Sequence, residues 1–294
     1  MADNIGNKAA HDYHLDVPAA QEGFYVKGAA NCDFGMKSRL ARIFSPKSGN
    51  TVMLAFDHGY IMGPTAGLER IDVVIPPLIP HVDVLMGTRG VFRTCISPAA
   101  RVAKCVRVTY DSTVLFDDMS NGGGIACDIE NAVRADADCV AVQTFIGAPG
   151  ESRSLELLAR TVDAATGYGI PTLGVVAVGK DMERTEKFFL LATRVLAENG
   201  ANIVKSYYCD GFERVAAACP VPIVIAGGKK LPELDALEMA YKAIRDGAHG
   251  VDMGRNIFQS DCPEGMAQAI GKVVHEGYTP SQAFEVYQEI KHNK

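Results

Sequence analysis

Eight short runs dominated by Val, Ile, Leu, Met and Ala, each followed by more polar chain, constrain this sequence more than any other feature. They occupy residues 52–56, 82–86, 105–108, 139–145, 172–178, 202–206, 221–226 and 250–253. Apolar runs without clean polar alternation suit parallel strands buried on both faces. Between them lie segments with helical spacing or helix caps, at 68–78, 128–135, 154–166, 185–199 and 232–247. The first of these ends at Pro76-Pro77, and the last opens with Pro232 at a first helical position and closes on Gly247. Eight strand–helix units in 294 residues predict an α/β protein whose strands close into a (β/α)8 TIM barrel. An open doubly wound sheet is the alternative. It usually carries a dinucleotide fingerprint after its first strand, and neither G-x-G-x-x-G nor G-x-x-x-x-G-K-S/T occurs here.

The repeats divide the chain into three parts. Residues 1–50 read as an N-terminal extension, in which Met36, Leu40, Ile43 and Phe44 share one helical face and form a helix covering one end of the core. Residues 51–278 form the barrel. Residues 279–294 add a helix with Thr279 as N-cap and an apolar face of Ala283, Phe284, Val286, Tyr287 and Ile290. That face must pack on its own barrel or on a neighbouring subunit. The loop at 109–124, with Asn121-Gly122-Gly123-Gly124, is long enough to cover a site.

Charge and cysteine usage narrow the function classes. A net charge of −6 lacks the basic footprint of a nucleic-acid partner, yet leaves room for a local cationic cluster that binds a small anion. Eight cysteines without any C-x-x-C pair argue against a disulfide framework or a zinc cage. The polar N-terminus and the lack of any apolar run near the ~20 residues that span a bilayer predict a cytoplasmic protein with no membrane partner.

In barrels of this class the chemistry sits where the strands end, with phosphate held after strands seven and eight. The sixth strand carries Lys205 at the end of Ile203-Val204. A lysine desolvated there is neutral for part of the time and can attack a ketone to form a Schiff base; the plain alternative is an ion-paired strand-end lysine. The first strand ends in Asp57-His58-Gly59, a carboxylate and an imidazole suited to acid–base work or to capping the next helix. Gly227-Gly228-Lys229 and Gly254-Arg255 follow strands seven and eight. Their glycines let backbone N–H groups approach an anion, the Lys and Arg supply charge, and a helix beginning near Asn256 would add its positive end: a phosphate cup. Lys180 is a second amine, suited to an exposed or ligand-contacting role, and Cys209 reads as inert core. No metal is expected. The histidines form no H-x-H or H-E-x-x-H cluster, although Asp57, His58, His249 and Asp252 could converge in a closed barrel.

Phe56-Asp57-His58-Gly59, the run 203–208, the run 225–230 and Met253-Gly254-Arg255-Asn256 resemble the archaeal-type class I fructose-bisphosphate aldolases. Longer runs at 36–44, 51–59, 67–72, 178–182 and 220–258 resemble a thiolase branch of that family active in autoinducer-2 catabolism. The resemblance implies that Lys205 forms an imine with a phosphorylated diketone and that Asp57 orients or exchanges protons, with His58 lining the same site. It implies that Gly227, Gly228, Gly254 and Arg255 hold the phosphate. It also implies coenzyme A as the acetyl acceptor, acetyl-CoA and dihydroxyacetone phosphate as products, no bound cofactor, and a ring-based homo-oligomer, a decamer. Two alternatives stay open: a class I aldolase of fructose 1,6-bisphosphate or a related sugar phosphate, and a non-catalytic phosphosugar-binding barrel. The sugar-phosphate aldolases carry a fifth-strand tyrosine, and the corresponding run 174–180 has no phenol. The third-strand segment 108–113 also departs from the family's small Ser/Gly-rich pattern, adding Tyr110 and Asp111 near the mouth.

Overall fold

The computed structural model describes residues 23–116, 123–177 and 183–293. Eight strands close into one all-parallel barrel: β1 Thr51–Ala55, β2 Val84–Thr88, β3 Ala103–Arg107, β4 Cys139–Thr144, β5 Thr172–Val176, β6 Ile203–Ser206, β7 Ile223–Ala226 and β8 Gly250–Met253. Closure is made between β8 and β1, in a register that pairs Thr51 with Gly250 and Leu54 with Met253. The strands are those expected, with ends shifted by up to two residues.

Side chains alternate between the lumen and the helical layer, as a barrel strand requires. Met53, Ala55, Met86, Ala103, Cys105, Cys139, Ala141, Leu173, Val175, Ile203 and Val224 pack into one buried cluster, the lumen. Val52, Leu54, Leu85, Val106, Val140, Val142, Val204, Ile225, Val251 and Met253 belong to a second cluster, packed on the surrounding helices. That parity turns Asp57, Arg107, Gln143, Lys205 and Asp252 inward at the end where the strands finish. The polar lumen is therefore a consequence of register, one residue out of every two.

The opposite end is plugged. Helix Phe34–Ile43 is capped by Asp33, whose Oδ1 accepts from Met36 N at 2.8 Å, and its Met36, Leu40 and Ile43 join Phe44 in the lumen cluster. Arg42 bonds Asp138 at 2.6 Å, just before β4, and Arg39 donates to Gly169 O at 3.1 Å, just before β5, so the helix sits under the strand starts. Each of the large buried side chains on it contributes about 1.5–3 kcal/mol of burial.

Several helices differ from expectation. The segment at 68–78 is a single turn, Ile71–Val74, followed by a 3-10 helix at Pro76–His81, because three prolines there remove donors that a regular helix needs. Pro232 is the N-cap of helix Glu233–Arg245 rather than its first residue. The helix near Asn256 is one turn, Arg255–Phe258, and helices Arg89–Cys95 and Pro263–Glu276 were not anticipated. The last helix, Pro280–His292, starts with a capping box between Thr279 and Gln282. It lies on Pro263–Glu276 and Glu233–Arg245, burying Ala283 and Tyr287 against its own chain and leaving Phe284, Val286 and Ile290 half-buried. The loop after β3 begins as a small antiparallel hairpin, Thr109–Tyr110 with Gly124–Ile125. Its residues Asn121 and Gly122, together with Lys180 after β5, lie outside the described residues. Among the described residues, no helix is long and apolar enough to cross a membrane.

Candidate active site

Two buried ion pairs occupy the top of the lumen. Lys205, on β6, places Nζ 2.8 Å from Asp252 Oδ2 on β8, with side-chain exposures of 12% and 0%. The approach is off the hydrogen-bonding direction, and among the described residues Asp252 Oδ1 meets no donor. Nζ also lies 3.8 Å from the Met86 sulfur. Across the lumen, Arg107 Nε on β3 donates to Asp57 Oδ2 at 2.9 Å, again with both groups buried. The guanidinium also lies over the ring of Tyr60, 5.4 Å from its centroid. Tyr60 Oη donates to Gln143 Oε1 at 2.6 Å.

These surroundings set the charge states. Burial alone would raise Asp57, but Arg107, then Lys205 and His58, bring its carboxyl below the usual range. Asp57 therefore stays ionised and serves as an acceptor. Asp252 goes the other way: burial raises it, and the attraction of Lys205 only partly offsets that. Burial, with the Lys205, Arg255 and Arg107 charges outweighing the pull of Asp57, lowers His58 to about 4. At neutral pH His58 is an uncharged imidazole whose buried Nδ1 has no partner among the described residues, set edge-on to Phe258 at 5.5 Å. Burial also pushes the Tyr60 phenol up to about 12, so it stays protonated.

The phosphate-type loops open onto the same cleft. Its walls include Asp57, His58, Lys205, Tyr207, Asp252, Gly227, Gly228, Gly254 and Arg255. Gly228 has φ +67°, a left-handed conformation that a side chain would strain. At Gly254 a Cβ would collide with the Ala55 carbonyl oxygen and come within 2.5 Å of the His58 ring, so only glycine leaves the two elements this close. Asn256 is fully buried and staples the loops together: Nδ2 donates to Gly227 O and Oδ1 accepts from Leu231 N, each at 2.8 Å. Arg184 stacks on Tyr207, 4.2 Å from the ring centroid.

Seven of the residues singled out by sequence thus share one cleft. Lys229 does not: it is exposed on the rim and absent from the cleft wall, while Lys230 is tied to Glu233 at 2.8 Å. The helix that would have lent its positive end is a single turn, and what Asn256 supplies is a side-chain brace. His249 lies before β8, at the plugged end, where its carbonyl accepts from Thr51 N, so it cannot meet Asp57 and His58. Sequence reasoning missed Arg107, Tyr60 and Gln143, and saw Asp252 only as a metal ligand. An arginine embedded in the run Lys104-Cys105-Val106-Arg107-Val108 was the available signal, since a buried guanidinium demands a carboxylate partner. The described part of the run 174–180 offers no phenol, and Val175 faces the lumen.

Comparison with known proteins points one way. Residues 51–260 match the family described as DeoC/LacD family aldolase. The chain is 51% identical over 288 residues to the 3-hydroxy-5-phosphonooxypentane-2,4-dione thiolase of Photorhabdus laumondii, covering 98% of each chain. It is also 51% identical over 292 residues to an uncharacterised aldolase of Pasteurella multocida, covering 99% of this chain and all of that one. Among solved structures, an archaeal fructose 1,6-bisphosphate aldolase superposes with a TM-score of 0.74 at 25% identity, over 82% of this chain and all of that one.

Proposed function

The chain belongs to the DeoC/LacD aldolase family, and on that premise we propose that it is a Schiff-base-forming thiolase. Its substrate is 3-hydroxy-5-phosphonooxypentane-2,4-dione, the compound named for a relative of 51% identity, and the acetyl group passes to coenzyme A. The observation that carries this reading is Lys205: an amine almost out of solvent, against a carboxylate, in the cleft that the glycine loops of β7 and β8 share.

Gly227, Gly228, Gly254 and Arg255 hold the phosphate, which brings the neighbouring ketone to Lys205. The amine adds to that ketone and water leaves, giving an iminium that serves as an electron sink. The thiolate of coenzyme A adds to the acetyl carbonyl at the other end of the substrate. The bond between the acetyl carbon and the hydroxyl-bearing carbon then breaks, and its electron pair flows into the iminium to form an enamine. Acetyl-CoA departs. Protonation of the enamine carbon and hydrolysis of the imine release dihydroxyacetone phosphate. Ionised Asp57, held by Arg107, accepts a hydrogen bond from the substrate hydroxyl, and neutral His58 offers an uncharged partner to a carbonyl oxygen.

Incubation with substrate and borohydride, followed by mass spectrometry of the Lys205 peptide, detects the imine, and product analysis with and without coenzyme A separates the chemistries. No acetyl-CoA, with dihydroxyacetone phosphate formed in its absence, would leave the aldolase reading, which the fold similarity to a fructose 1,6-bisphosphate aldolase keeps in view. Ligand binding that survives Lys205→Ala, with no adduct in the parent chain, would leave a binding barrel.

A further inference from the structure

Forming an imine from Lys205 requires that its ammonium first lose a proton and that the carbinolamine hydroxyl later gain one. A group serving both needs must lie within hydrogen-bond distance of Nζ and must not be committed elsewhere. Asp57 is bound to Arg107 at 2.9 Å, and the Tyr60 hydroxyl gives its proton to Gln143 at 2.6 Å. Among the described residues, the polar contacts of Nζ are Met86 sulfur at 3.8 Å and Asp252 Oδ2 at 2.8 Å, and sulfur is no base.

Asp252 also carries an unexplained cost. It is 1% exposed, sits at the lumen position of β8, and among the described residues its Oδ1 has no donor. A buried carboxylate oxygen left without a partner calls for a reason, and one that a reaction supplies transiently is a sufficient one. The carbinolamine oxygen formed at Lys205 is that missing partner.

We infer that Asp252 is the catalytic residue that takes the proton from Lys205 and returns it to the carbinolamine oxygen. The inference rests on the Schiff-base reading above. In the first step the proton moves from Nζ to Oδ2, leaving a neutral amine and a carboxylic acid. The amine lone pair forms the carbon–nitrogen bond while the carbonyl electron pair moves to oxygen, which takes the proton from Asp252. The new secondary ammonium then gives a proton to Asp252. Asp252 passes it to the hydroxyl, which leaves as water while the nitrogen lone pair forms the iminium. The sum is an ammonium and a ketone giving an iminium and one water, with Asp252 regenerated. Release of product runs the same route backwards. The ionisable groups facing Asp252 are Lys205 from β6, Asp57 from the end of β1, and Arg107 and Cys105 from β3. Burial among them, with Lys205 only partly compensating, raises the Asp252 carboxyl, in the direction that makes it a better proton acceptor.

The test is the rate of borohydride trapping at Lys205, with dihydroxyacetone phosphate as the ketone, across pH. The full-length parent should trap, with an acid limb above the usual carboxylate range. Asp252→Asn should trap about 100-fold more slowly and lose that limb, and formate added to Asp252→Gly should restore part of the rate. An Asp252→Asn rate within about two-fold of the parent would overturn the inference, a difference well below the effect of a proton-transfer group. Should Asp252→Asn fail to fold, Asp252→Glu decides. A displaced acid limb supports the role, and an unmoved limb at parental rate sinks it. A parent chain that does not trap at all is a different outcome, because it removes the Schiff-base reading itself.

Discussion

At the scale of single residues the active end of the barrel is a balance of two buried cations and two buried carboxylates. Removing one member leaves its partner charged and unsolvated. Arg107→Met strips Asp57 of its counter-ion and should cost about 3–5 kcal/mol of stability, read from the urea midpoint. Asp57→Asn in the same chain should recover much of that loss; no recovery would mean that the damage was to packing. His58 makes a pH prediction whose sign follows from its lowered value. Its folded-state pKa is about 4 against an ordinary 6.5, so the folded chain favours the neutral ring. The contribution is complete above pH 6.5 and lost as pH falls towards 4, amounting to about 3 kcal/mol across that window. His58→Asn should flatten the stability profile there by a similar amount, and parallel profiles for the two proteins would contradict the assignment.

At the scale of elements, the loops proposed to hold phosphate depend on close approach more than on charge. Asn256 ties the loop after β7 to the turn after β8, and Asn256→Ala leaves Gly227 O and Leu231 N without partners. The expected loss is about 1–3 kcal/mol in unfolding. Affinity for dihydroxyacetone phosphate should also fall at least about tenfold, equivalent to 1.4 kcal/mol, measured by calorimetry. Gly254→Ala should weaken the same binding, because the added Cβ pushes the β8 turn away from Ala55 and His58. Lys229→Ala, on the exposed rim, should leave it close to the parental value. A large effect of Lys229→Ala with none from Asn256→Ala would reverse this account of the cup.

At the scale of the whole molecule, the barrel is closed below by Phe34–Ile43 and buttressed at the side by Pro280–His292. Tyr287 is 2% exposed and wedged against the helix Pro263–Glu276, with its hydroxyl 3.3 Å from Ser260 Oγ. Tyr287→Ala should therefore cost about 3–5 kcal/mol, seen as a lower denaturation midpoint with catalytic constants unchanged in the folded fraction. Phe284, Val286 and Ile290 of the last helix stay half-buried in the single chain, so the homo-oligomer implied by the family resemblance should show as a sedimentation coefficient above the monomer value, and a monomer would count against it.

What the sequence by itself determined was periodic or local. Eight apolar runs of strand length, helix caps such as Thr185 and Thr279, and glycines next to cations at the ends of the last two strands can all be read from neighbouring residues. Lys205, Asp57 and His58 were legible for the same reason: each ends an apolar run, where chemistry is otherwise out of place. What only the tertiary structure decided was which charges meet. Asp57 and Arg107 are fifty positions apart, and Lys205 and Asp252 forty-seven, and neither pairing leaves a trace in local spacing. Barrel closure sets β8 against β1 and register turns every second side chain into the lumen. Four ionisable groups from different strands are thereby placed where they are shielded from bulk solvent and must answer one another.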